Sequence, residues 1–291
     1  MFFYYIINIG GCMYLLLVAA ILPVAILCYY IYNKDPHKEP YYMLVRMFSR
    51  GLMTFLPILI VEIILDLFFN TDGITSFTKI FIFTFIGVAL VEEFFKWIVV
   101  YKSAYNDKEF NEVYDSIVYA VFVSLGFACI ENISYVLGNG LTNAFFRAIS
   151  AIPGHMYFGV IMGFFLSKAK VAKFNRNKEM ERNNLIFSLL FPTLFHTMYD
   201  SLIFYCVNTE TDAVILLFYA FHIFSVILCI FIVNMTSKVQ YNIINSIEEG
   251  VISVSSDGYA VVNNKVQINY CPICGRKYDG GKFCGGCGNK F

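Results

Sequence analysis

Four short clusters of ionisable residues interrupt otherwise apolar stretches: Glu92-Glu93-Phe-Phe-Lys96, Glu131-Asn132-Ile-Ser-Tyr135, Pro153-Gly154-His155 and His196-Thr-Met-Tyr-Asp200. Buried acids, imidazoles and a lysine are groups that move protons, ligate metals or pair with one another. The spacings favour a shared site. Glu92 lies four residues and Glu93 three residues before Lys96, so on a helix both carboxylates reach the ammonium. Lys96 would hold one of them ionised and leave the other for different work. His196 and Asp200 share a helix face, as an imidazole held in one tautomer requires. Glu131 and Tyr135 are one turn apart, and Pro153-Gly154 predicts a kink where His155 enters the bundle. The apolar stretches also hold Glu62, Asp66 and His222. A charge at the bilayer centre costs about 2.5–3.5 kcal/mol on insertion scales, so these groups must face one another, water or a metal. For Glu62 and Asp66, which have no partner motif, structural pairing or a water-filled crevice is expected. His222 reads as a packing histidine with one hydrogen bond.

The elements that must position these residues follow from composition. Of 291 residues, 58% are hydrophobic and 14% charged, with net charge zero and mean hydropathy +0.65; soluble domains carry about 25% charge. The neutral balance argues against a nucleic-acid partner, and lipid is the expected surrounding. A spanning helix needs roughly 20 apolar residues. Seven stretches qualify: about 9–32, 48–69, 80–101, 115–137, 144–167, 185–206 and 213–235. The fold expected is an all-α polytopic membrane protein, its first span a retained helix rather than a signal peptide. Positive charge falls in alternate loops: Lys34, Lys38, Arg46 and Arg50, then Lys102 and Lys108, then Lys168 to Arg182. The positive-inside rule then puts the N-terminus outside and the C-terminus in the cytoplasm.

A bundle at 1–235 would be followed by a linker or small β unit at 236–269, with a hairpin across Ser256-Asp257-Gly258. Residues 270–291 carry a third constellation, Cys271-Pro-Ile-Cys274-Gly and Cys284-Gly-Gly-Cys287-Gly. Two C-x-x-C knuckles nine residues apart, each followed by glycine, suit a structural zinc held by four thiolates. The segment is too short for an apolar core, so the metal would supply the folding energy. It is similar to the short zinc ribbons appended to many bacterial membrane proteins. A structural or docking role toward a cytoplasmic partner is expected.

The order Glu-Glu-x-x-Lys, Phe-x-x-x-Glu-Asn-x-x-Tyr, Pro-Gly-His and His-x-x-x-Asp on consecutive spans resembles the PrsW family of intramembrane proteases. So does the Asp35-Pro-His-Lys-Glu39-Pro40 loop. The resemblance covers about residues 10–235. It implies hydrolysis of a peptide bond in a membrane-anchored protein in a bacterial cell membrane, with an anti-sigma factor as the substrate class. Glu92 would be the general base and Glu93 with Lys96 an orienting pair. His155, His196 and Glu131 would ligate a catalytic zinc or position water and oxyanion directly, with Asp200 orienting His196. The related CaaX-processing enzymes have histidine where this chain has Glu131 and asparagine where it has Asp200, which leaves the metal open. Two other classes fit buried ionisable groups: a proton- or ion-coupled transporter, and a receptor or scaffold signalling through the ribbon. A transporter would be expected to show repeated halves with matching helix breaks, and only one break is evident, near Pro153.

Overall fold

The computed structural model describes residues 2–69, 75–209, 211–248, 252–254 and 260–262, together with 271, 276, 284 and 286–288. The chain is built from α1 (Phe2–Lys34), α2 (Tyr41–Phe69), α3 (Phe77–Phe83), a π-helical segment (Thr84–Ala89) and α4 (Leu90–Ser103). Next come α5 (Asp115–Ile149), α6 (Ala151–Phe174), α7 (Lys178–Thr209) and α8 (Asp212–Glu248). Two short strands, β1 (Ile252–Val254) and β2 (Ala260–Val262), pair antiparallel with Ser253 opposite Val261, as the hairpin expectation requires.

Among the described residues, five helical stretches are long and apolar enough to cross a membrane: Met13–Lys34, Tyr41–Phe69, Asp115–Phe174, Lys178–Thr209 and Ala213–Glu248. The protein is a multi-pass membrane protein. The stretch of 60 residues joins the expected fourth and fifth spans, and it doubles back on itself. Gly163 abuts Ile117, Gly159 abuts Val121, and Ser124 Oγ donates to the His155 carbonyl at 2.7 Å, so α5 and α6 are antiparallel. The expected span 80–101 is not among the five. It is divided between α3, the π segment and α4, and it carries Glu92, Glu93 and Lys96.

Helix α5 is the axis of the bundle. Every residue from Asp115 to Cys129 is buried, whereas α1 and α2 leave large apolar side chains such as Leu22, Leu67 and Phe68 exposed. That pattern suits a central helix ringed by lipid-facing ones.

Two helix boundaries correct the sequence reading. Helix α6 starts at Ala151, so Pro153 sits in the first turn, where its missing N–H is not needed. The chain breaks instead at Ser150 and, earlier, at Gly140, whose φ of 77° and ψ of −168° are open to glycine alone. Helix α8 continues to Glu248, through residues expected to be linker. Its polar end is held by neighbouring loops: Ser237 Oγ donates to the Lys34 carbonyl at 2.6 Å, and Gln240 Nε2 donates to Glu112 at 2.6 Å.

The same end of the bundle gathers all three basic loops. Arg46 pairs with Asp107 at 3.0 Å, His37 with Glu112 at 2.7 Å, and Lys173 Nζ donates to Asn106 at 2.6 Å. The Asp35–Pro40 loop is clamped there by a short hydrogen bond from Tyr119 to Glu39. Burial pushes the Asp35 carboxyl up to about 7, with Glu39 and Glu112 nearby adding to the effect.

The α5–α6 contact should be intolerant of bulk. A Cβ at Gly163 would stand 2.6 Å from Ile117 Cα and from the Ser116 carbonyl oxygen, so Gly163→Leu must force the helices apart, as at other small-residue helix interfaces. A loss of about 1–3 kcal/mol or more is expected for such overpacking. It should appear as a lower melting temperature in detergent. Gly138→Ala, where an added Cβ meets nothing within 4 Å, is the control expected to melt like wild type.

Candidate active site

The site is assembled from four helices. Helical spacing on α4 brings Glu92 and Glu93 to Lys96, and the π segment immediately precedes them; such segments are frequent at functional sites. Helix α4 is fixed against α7 by Trp97 Nε1, which donates to Ser188 Oγ at 2.8 Å, and the π segment by Thr84 and Ser201, whose hydroxyls lie 2.6 Å apart.

Lys96 Nζ is the focus. It donates to Glu92 Oε2 at 2.8 Å and to Glu93 Oε1 at 2.8 Å, and it lies 3.2 Å from His155 Nδ1 on α6. An ammonium has three hydrogens, and here it has three acceptors. It also stands 4.4 Å from the centre of the Phe127 ring. The expectation that Lys96 would hold one carboxylate and free the other is therefore corrected: it holds both. Accessibility separates them instead. Glu93 and Lys96 are 0% exposed, while Glu92 is 5% exposed; each carboxylate has one oxygen without a hydrogen bond among the described residues.

On α7, His196 Nδ1 lies 3.0 Å from Glu93 Oε1 and His196 Nε2 lies 3.3 Å from Asp200 Oδ2. Both ring nitrogens face carboxylates, an arrangement that a ring carrying both protons satisfies. Phe158 stacks on this imidazole with centroids 4.4 Å apart. His155 accepts from Lys96 through Nδ1, so its proton sits on Nε2, which faces Glu131 Oε2 at 3.0 Å. The hydrogen-bond network, rather than any observed hydrogen, assigns this tautomer.

The structure thus brings together every residue expected at the site: Glu92, Glu93, Lys96, Glu131, His155, His196 and Asp200. It adds two. Glu62, expected to stand apart on α2, lies within electrostatic reach of Glu92 and Glu131, and its Oε1 is buried without a partner among the described residues. Arg147 pairs with Glu131 Oε2 at 2.6 Å. It was overlooked, although an arginine inside the expected span 144–167 carries the same signal as the other buried charges. His222 packs as expected: it bonds the Ile149 carbonyl at 3.0 Å and stacks on Phe218.

The metal question can be tested on the donor set. Glu131, His155 and His196 do not form it, because Glu131 is shared by Arg147 and His155 while both His196 nitrogens are turned to Glu93 and Asp200. The residues that do converge are Glu92, Glu93 and His155, whose ligand atoms all lie within 4.8 Å of one another. Two carboxylates and an imidazole are acceptable to zinc. The point they surround, however, is taken by Lys96 Nζ, which bonds all three. In this arrangement the ammonium fills the cation position, and the residues do not fit a metal there.

Beyond the bundle, Cys271, Cys284 and Cys287 offer thiols within 4.8 Å of one another. Cys271 Sγ and Cys287 Sγ are 3.6 Å apart, well beyond the ~2.05 Å of a disulfide. Gly286 N–H donates to Cys284 Sγ at 3.3 Å. Cys274, the expected fourth ligand, lies outside the described residues.

The PrsW family of intramembrane metalloproteases matches residues 39–233, a range that holds every bundle site residue and excludes the cysteines at the C-terminal end. The chain is 42% identical over 185 residues to Protease PrsW of Oceanobacillus iheyensis, covering 64% of this chain and 81% of that relative. It is 40% identical over 192 residues to Protease PrsW of Geobacillus kaustophilus (66% and 80% covered). It is 38% identical over 189 residues to Protease PrsW of Bacillus subtilis (65% and 82% covered). No solved structure matches the chain. By family match and by relatives aligned over most of their length, this chain belongs to the PrsW family and is an intramembrane protease.

Proposed function

We propose that the protein cleaves a peptide bond in a membrane-anchored protein with Glu92 as general base. The observation that carries this is the asymmetry of the carboxylate pair. Both bind Lys96 through one oxygen and leave the other without a hydrogen bond among the described residues, but only Glu92 keeps some exposure. As water attacks the scissile carbonyl, its proton passes to Glu92. Negative charge then grows on the carbonyl oxygen, and the Lys96 and His196 cations provide a positive field fixed in place beforehand. When the C–N bond breaks, Glu92 returns the proton to the leaving amine. No step is routed through a metal, because Lys96 fills the position that one would take.

An apolar groove of about 360 Å³ runs between Phe85 and Trp97 on one side and Leu189 and Thr193 of α7 on the other. We propose it as the lipid-side seat for the substrate segment, within a turn of Lys96 and His196. An anti-sigma factor is the substrate class that the family resemblance implies. For topology we propose seven crossings, with the N-terminus outside and the C-terminus cytoplasmic. The gathering of the basic loops at one end supports this orientation. We also propose a structural zinc held by Cys271, Cys274, Cys284 and Cys287, and a ribbon that docks a cytoplasmic partner.

Glu92→Gln keeps shape but cannot take the proton. Its turnover should fall by about 10² or more, while membrane insertion survives. Comparing membrane-protein fragments in cells carrying wild-type and Glu92→Gln protein should reveal products made only by wild type; identical fragment sets would remove Glu92 as the base.

His155→Ala and His196→Ala should each be inactive, and the double variant no worse than either, because groups working as one unit are not additive. Kinetics of the three purified variants would show it.

The ribbon proposal predicts about one tightly bound zinc per full-length chain, lost when Cys271 and Cys274 become serine. Elemental analysis that finds full zinc in that variant would remove the assignment.

A further inference from the structure

The motif Glu131-Asn132-x-x-Tyr135 has a purpose that the peptide chemistry does not explain. All three of its side chains contact one guanidinium. Arg147 Nη2 donates to Glu131 Oε2 at 2.6 Å, Arg147 Nε donates to Asn132 Oδ1 at 2.8 Å, and the guanidinium lies 4.1 Å from the centre of the Tyr135 ring. The amide of Asn132 is itself held from its other end, since Nδ2 donates to the Ala20 carbonyl of α1 at 2.8 Å. A planar, delocalised cation with several fixed donors suits such a cradle, and a lysine does not.

Along a straight helix, Glu131 and Arg147 would stand about 24 Å apart at 1.5 Å per residue. They meet because the chain reverses at Gly140, in a backbone conformation reserved for glycine. Beyond the contact, the hydrogen bonds continue inward. The Glu131 oxygen that takes Arg147 also takes His155 Nε2, and His155 Nδ1 then faces Lys96.

We propose that Arg147 is a positioning residue for proteolysis, acting through Glu131 and His155. By holding the Glu131 carboxylate, it fixes the His155 tautomer that presents a lone pair to the third hydrogen of Lys96. That in turn sets the ammonium between Glu92 and Glu93. The proposal rests on the proteolytic reading above and assigns the Glu-Asn-x-x-Tyr motif to binding arginine rather than metal or water.

The test uses purified full-length protein in detergent, with a fluorophore-labelled single-span transmembrane peptide as the cleavage probe. Arg147→Lys keeps the charge but loses the fork and the stack. Its kcat should fall about tenfold or more, the usual cost of losing a partner that orients a site group, with KM within about twofold of wild type. In a Glu131→Gln background the same substitution should cause no further loss, because its effect travels through Glu131. A purely structural role would instead lower stability and add its loss to that of Glu131→Gln. Should Arg147→Lys not be recovered as folded protein, Tyr135→Leu removes only the stacking face and should also lower kcat at unchanged KM. Unchanged kcat in the variant measured, or losses that multiply, would overturn the proposal while leaving the protease intact. If wild type shows no cleavage that Glu92→Gln abolishes, the proteolytic reading fails, and this proposal with it.

Discussion

Removing an ammonium from water costs several kcal/mol, and in a bilayer interior no solvent is at hand to soften that cost. Lys96 recovers it through three acceptors drawn from two helices, Glu92 and Glu93 of α4 and His155 of α6. The arrangement demands tight packing elsewhere. His155 reaches the ammonium because α6 lies against α5 with only glycine at the contact with Ile117. Glu93, at zero exposure, is shared by Lys96 and by His196 of α7. Helix α5, buried along its first half, gives the surrounding helices a common surface to close on.

Charge balance shapes what the site can do. Five carboxylates, Glu62, Glu92, Glu93, Glu131 and Asp200, lie around two permanent cations, Lys96 and Arg147, and an imidazole, His196, caught between acids. Most of these charges are tied into reciprocal pairs, so the network is rigid and largely spent on itself. Within the pair that Lys96 binds, Glu92 is the carboxylate that keeps some exposure. A rigid array around a partly accessible base favours proton transfer, because the surrounding dipoles need not reorganise as charge develops.

Much of this was legible in the sequence where the geometry is local. Glu92, Glu93 and Lys96, like His196 and Asp200, meet through three- and four-residue spacing on one helix, which any helical reading yields. The multi-pass, all-helical class followed from hydropathy alone. The features that were not legible depend on where the chain turns. Arg147 reaches Glu131 only because of Gly140, and a positive φ at one glycine leaves no periodic trace. Pro153 looked like a kink because the helix start at Ala151 falls inside a continuous apolar run. The polar residues after Thr236 read as linker, since their partners, Lys34 and Glu112, lie far away in sequence. The role of Lys96 is hidden for a related reason: residue types alone do not reveal that an ammonium stands where the ligand atoms of Glu92, Glu93 and His155 converge.

The central claim is that the Lys96 ammonium neutralises the carboxylate pair and organises the site. It is tested most directly by thermal unfolding and turnover of Lys96→Met beside Lys96→Met combined with Glu93→Gln. The single variant leaves two buried carboxylates without their shared cation. It should lose about 3–5 kcal/mol of stability, as when one partner of a buried pair is removed, together with its activity. Neutralising Glu93 as well should return much of the stability but not the turnover. A Lys96→Met protein as stable and as active as wild type would contradict the account.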